Sequence, residues 1–156
     1  MKKLFILFAG AAAVASTALA GIAKEGDKLT IDGEIMSIAK EDDFGEDIVN
    51  IVLKGGGGIS VTETIKPAAK TYSLAGTGIV SVASGKTFQA DSKDRMVMGT
   101  LGQTLVKRGP GTLHFNGGPG KVTDDLPTRW VVEEGILYEA SSDFFGNHSS
   151  TTTNLT

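Results

Sequence analysis

Cysteine is absent from the 156 residues. That excludes disulfide staples, thiolate metal sites and a cysteine nucleophile, so a folded domain here must rely on its own core. Histidine is scarce: His114 and His148 are the two in the chain, which leaves no histidine cluster for a metal. Aromatic residues make up 6% of the chain, with one Trp and two Tyr, so an aromatic sugar-stacking strip would be thin. Excess positive charge is lacking too. The formal net charge is −3, and nucleic-acid binding or polybasic membrane attachment needs a basic footprint. No Gly-x-Ser-x-Gly elbow is present, so a hydrolase of that type is not indicated. What the chain has in quantity is glycine, 21 residues, set between short alternating apolar runs.

The first twenty residues stand apart. Met1-Lys-Lys is a positive start, Leu4 to Val14 is apolar, and Ala18-Leu19-Ala20 is a small-x-small site. This is the layout of a cleaved secretory signal peptide, residues 1–20, with a mature chain from Gly21. The apolar run is too short and Ala-rich for a membrane anchor, and no transmembrane segment is expected in the mature chain. No cysteine at the cleavage site means no lipoprotein anchor. Without the leader, two lysines are gone, leaving 13 basic against 18 acidic residues, a charge of about −5. A mature chain of this length is one domain.

The mature chain reads as strands and glycine corners. Leu113 and Phe115 alternate with Thr112 and His114, the period-2 pattern of a strand with one buried face. Gly109-Pro110-Gly111 before it is a turn. Trp130 and Val132 share a face, Gly135 breaks the strand, and Leu137 restarts it. Lys28–Ile31, Glu34–Ile38, Val49–Leu53 and Ile59–Ile65 are further candidate strands, with Val49, Ile51 and Leu53 assigned to one face and Ile59, Val61 and Ile65 to another. Gly55 to Gly58 reads as a flexible turn. It is not a phosphate loop, because Ile59-Ser60 follows where Lys-Ser/Thr is needed. Met96 and Met98 read as gap fillers in an uneven core. The acidic stretch Glu41–Asp47 lacks the spacing of an EF-hand calcium loop and reads as a solvated loop.

Strand, glycine corner, strand is how a solenoid of β-rungs is built. Leu74–Val82, with Gly76 and Gly78, matches the Arg108–Phe115 stretch in kind. A coil of roughly 20–25 residues predicts about five coils. The expected fold is therefore all-β, a short right-handed parallel β-helix over residues 21–140. Residues 21–54 are a candidate N-terminal cap, and 141–156 a polar, disordered tail. The alternative is a β-sandwich, with antiparallel strands and hairpin turns at the Gly-x-Gly corners.

Lys107, Gly109, Gly111, Thr112, Leu113, Phe115 and Gly117, followed by Trp130, Val132, Gly135 and Leu137, carry a resemblance. They look like the autotransporter-associated β-strand repeat, also called the passenger-associated transport repeat. Its pattern is roughly K-x-G-x-G-T-L-x-L-x-G, then T-x-V-x-x-G-x-L. The match runs from Lys107 to Leu137 and leaves the rest of the chain uncovered. Trp130 stands where the family often has Thr, and the segment holding Asp124-Asp-Leu-Pro127 is longer than usual. The resemblance implies a parallel β-helical passenger exported by a Gram-negative bacterium. In that family the repeat sits in a longer chain ending in an outer-membrane β-barrel, so this chain reads as a truncated, stand-alone or split passenger.

The expected function is a non-catalytic exported module, extracellular or at the cell surface, acting as scaffold or adhesin. The periplasm is the alternative location. No catalytic residue, cofactor or metal is indicated. His114 reads as an outward, solvent-facing residue, and Asp124 and Asp125 as a turn. Expected partners are a glycan or host-surface ligand and a second copy of the chain, joined through strand edges left open at the ends of a short solenoid. The second function hypothesis is a small secreted polysaccharide-binding or polysaccharide-degrading β-helix protein. Its mark would be an outward aromatic or carboxylate strip on stacked coils.

Overall fold

A computed structural model of the chain describes residues 21–67, 70–90, 95–98, 103–115 and 129–139. The leader, Gly117, the Asp124–Pro127 segment and the 141–156 tail lie outside the described residues. The described residues form thirteen strands: β1 (Ile22–Glu25), β2 (Lys28–Asp32), β3 (Ile35–Ile38), β4 (Asn50–Lys54), β5 (Gly58–Val61), β6 (Thr71–Ala75), β7 (Thr77–Val82), β8 (Thr87–Ala90), β9 (Arg95–Met98), β10 (Thr104–Arg108), β11 (Thr112–Phe115), β12 (Arg129–Val132) and β13 (Ile136–Glu139). They stack into three sheets. The first runs β1-β2-β4-β6-β9, the second β3-β5-β7-β10-β12 and the third β8-β11-β13. Every pairing among them is parallel except β1 with β2. The fold is a parallel β-solenoid of about four turns. Parallel pairing rules out the antiparallel sandwich.

Coil length is uneven. A short coil carries Asn50 onto Thr71, and a longer one carries Thr77 onto Thr104. The longer coil exceeds the length expected from the sequence. The five coils expected become about four because of such lengthening and because β1 turns back as an antiparallel strand. Its exposed Lys24 and Glu25 lie along the first edge of the sheet, the usual guard against edge pairing.

The alternation read in the sequence decides which face is buried. Leu29 and Ile31, Ile51 and Leu53, and Tyr72 and Leu74 stack in register down the first sheet, each no more than 3% exposed. Ile59 and Val61 stack on Val80 and Val82 in the second, and Phe88 on Leu113 in the third. Each such side chain contributes about 1.5–3 kcal/mol on burial. Met96 and Met98 take the positions in register with Tyr72 and Leu74. Val49 departs from its expected face: it is 46% exposed. The chain bends ahead of β4, where the N–H groups of Val49 and Asn50 both donate to the Asp27 carbonyl.

The acidic loop is more than solvated chain. Glu41–Phe44 forms one 3₁₀ turn, closed by the Asp43 carboxylate, which accepts from the N–H groups of Ala39 (2.7 Å) and Lys40 (3.0 Å). Those bonds hold the Asp43 carboxyl below the usual carboxylate range. The turn drives Phe44 into the core, where it meets Tyr72 edge-on, and Tyr72 meets Phe88 in the same way. Lys70, itself buried, ties the loop down by donating to the Ile48 carbonyl at 2.9 Å and pairing with Glu41 at 3.3 Å.

Gly55 and Gly56 make the turn, with open space beside Gly56, and Gly57 and Gly58 are closely packed. A Cβ on Gly57 would overlap the Ile31 carbonyl oxygen, and one on Gly58 would overlap that of Ile79. Adjacent coils approach too closely there for any side chain. Gly57→Ala is therefore expected to destabilise the full chain by roughly 3 kcal/mol in chemical denaturation, through displaced backbone. Gly85→Ala, at a positive φ but in open space, is expected to lose only about 1–2 kcal/mol. Equal losses would contradict the close-approach account.

Candidate functional site

Lys107, Gly109, Gly111, Val132 and Gly135 of the repeat motif come together around one corner. Lys107 lies on β10 in an inward column with Met36, Ile59, Val80 and Val132. It is 1% exposed, the one lysine in an otherwise apolar column. A buried ammonium must be bonded, and its three donors have three acceptors: the carbonyls of Arg108 (2.6 Å), Gly109 (2.6 Å) and Glu134 (3.1 Å). Glu134 is on the following coil, so the lysine ties two successive corners together. Burial pushes the Lys107 amine below its ordinary value, against the opposing pull of the Glu134 carboxylate.

The glycines make room for that bond set. Gly135 has φ +79°, and a Cβ there would overlap the Gly109 carbonyl oxygen and lie 2.9 Å from the lysine Nζ. A Cβ on Gly111 would strike the Ala83 carbonyl oxygen. Leu113 is fully buried, and Trp130 and Leu137 pack against the core from the next coil. Thr112, half-buried, and the Phe115 position continue the same strand. Val132 is half-buried above Lys107. The motif residues within the described chain thus build wall.

Charged pairs outside the wall also link neighbouring coils. Lys54 meets Asp32 at 2.8 Å and Lys86 meets Glu63 at 2.5 Å. Arg108 grips Glu133 with two nitrogens, at 2.6 and 3.3 Å, which holds the Glu133 carboxyl below the usual range. Exposed pairs like these contribute little individually.

Side chains with binding chemistry gather on the outer face of the third sheet. Gln89, His114 and Tyr138 stand in register on β8, β11 and β13, beside a second column of Thr87, Thr112 and Ile136. The His114 and Tyr138 rings meet edge-on at 4.6 Å. His114 is outward by register but not solvent-facing as expected: it is half-buried, and its Nε2 is buried without a hydrogen-bond partner among the described residues. Tyr138 and Ile136 are 51% and 56% exposed. Sequence reading missed this column because its members each lie a full coil apart in the chain; the coil period was the signal that joins them.

Among the described residues no group of three acidic or histidine side chains is placed to hold a metal, and no helix is long and apolar enough to cross a membrane. Comparison with protein-family models, curated proteins and solved structures finds no match to the chain.

Lys107→Met keeps an unbranched stem as far as the ε position and removes the three donors. It is expected to lower the unfolding free energy by about 3 kcal/mol, from carbonyls left without partners. Because the folded amine lies below 10.5, the unfolded chain binds more protons just below that pH. The wild-type protein therefore gains stability relative to Lys107→Met as pH rises toward 10.5. Denaturation midpoints at stepped pH measure the gap; a gap that narrows over that window would contradict the buried-lysine account.

Proposed function

We propose that the chain is a non-catalytic, exported β-helical module of passenger type from a Gram-negative bacterium, serving at the cell surface or in the medium as scaffold or adhesin. The observation that carries this is the Lys107 corner. The residues that resemble the autotransporter-associated repeat are consumed in joining one coil to the next, the role expected of a repeat whose product is a rigid wall. The leader layout of residues 1–20 and the lack of cysteine support export.

Self-association belongs to the same reading. The outer edges of β12 and β13 carry no strand partner among the described residues, and at the opposite end β1 covers the first sheet but leaves the β3 edge of the second open. An unguarded parallel edge recruits another chain. A second reading, polysaccharide binding without catalysis, is favoured by the Gln89–His114–Tyr138 column.

Fractionation of the native cell, with protease added to intact cells, tests the main reading. Digestion from outside, or recovery of the protein from the medium, is expected. Full protection in the periplasm would overturn the surface role.

A further inference from the structure

We infer that the outer face of the third sheet is a docking strip for a neutral, extended, β-linked polysaccharide. The inference rests on the adhesin reading and supplies its ligand class. Parallel coils repeat every 4.7–4.9 Å or thereabouts, close to the length of one pyranose in an extended β-linked chain. A polymer lying along the solenoid axis would cross one outward column of side chains, coil by coil, with Gln89 and Tyr138 at its two ends.

The chemistry of those positions differs from the rest of the wall. Tyr138 offers an apolar ring with a hydroxyl at its tip and is half exposed. The edge contact from His114 restricts the ring on one side, which lowers the entropy lost on binding. His114 is thus a positioning residue; its buried Nε2 is not offered to ligand. One coil beyond His114, Gln89 presents an amide that both donates and accepts, the pairing a sugar hydroxyl needs. Thr87 and Thr112 add hydroxyls in the parallel column, and Ile136 adds apolar surface beside Tyr138.

Charge selects among polymers. None of the strip residues Thr87, Gln89, Thr112, Ile136 and Tyr138 carries a permanent charge. Lys86, next to Thr87, and Arg108, at the end of the strand that precedes Thr112, are already held by Glu63 and Glu133. An acidic polymer would have to displace those carboxylates, and the mature chain is itself acidic. A neutral polymer meets no such barrier.

Full chain expressed with its leader and purified is mixed with insoluble cellulose, insoluble chitin and soluble polygalacturonate as competitor. Retention on a neutral polymer is expected, undiminished by the acidic one. Tyr138→Ala is expected to weaken it roughly tenfold, and Gln89→Ala by a smaller factor. Thermal melting of both variants, at partly or fully exposed positions, should stay near wild type. His114→Ala should weaken retention, with His114→Phe restoring part of it by keeping a ring against Tyr138. No retention on either neutral polymer, equal retention of wild type and Tyr138→Ala, or displacement by polygalacturonate would overturn the inference. So would sedimentation showing that Tyr138→Ala turns a dimer into a monomer, which would assign the face to a second copy. Purified protein is used throughout, so failure here leaves the surface reading standing, and protein trapped in the periplasm would leave this binding result standing.

Discussion

Parallel backbone pairing between coils is the constraint on which everything else depends. A single coil of this chain cannot bury its own apolar face; it becomes stable only when another lies against it in register. Register then does two things at once. Inside, it sets Ile31 on Leu53 on Leu74, and Ile59 on Val80, so burial accumulates column by column. Outside, it sets Ser37 on Ser60 on Ser81, and Gln89 on His114 on Tyr138. A slip by one residue would exchange the two faces. The glycine corners and the coil-to-coil ion pairs act against such slips, the first by steric exclusion and the second by matching Lys54 to Asp32 and Arg108 to Glu133.

Lys107 is the point where stability and pattern meet. An apolar side chain in its place would fill the column, yet would leave three carbonyls of adjoining corners without donors. The lysine satisfies all three and spans two coils. Gly135 and Gly109 have to lack side chains for that arrangement to close. The lysine and the spaced glycines thus act together, Gly135 beside the Lys107 ammonium and Gly109 against the backbone of the preceding coil.

The strands and their buried faces were largely legible in the sequence. Alternation at Ile59–Val61 and at Thr112–His114 reports burial directly, because side chains on a strand alternate between faces. Partnership between coils was not legible. Gly76–Gly78 and Gly109–Gly111 look alike locally, yet the first turns from the first sheet to the second and the second from the second sheet to the third. Thr77 in fact stacks on Thr104, a whole coil further along the chain. Local pattern specifies a face and a corner; it does not say which corner lies above which. The burial of Lys107 escaped for a similar reason, since one of its acceptors comes from Glu134 on another coil. The Gln89–His114–Tyr138 column likewise exists only once the coils are aligned. Phe44 was hidden by its acidic neighbours, whose charge reads as loop although the loop serves to drive the ring inward.

Coil register is open to a direct test, made clean by the absence of native cysteine. Ser60 and Ser81 are in register on adjacent coils, at a separation a disulfide spans, whereas Ser37 and Ser81 are two coils apart at about 9.6 Å, beyond its reach. Mild oxidation of the Ser60→Cys/Ser81→Cys chain should give an intramolecular bond in near-quantitative yield, and the Ser37→Cys/Ser81→Cys chain should remain reduced as a monomer. A bond in the second variant and none in the first would contradict the stacking on which the wall, the lysine corner and the outer strip all rest.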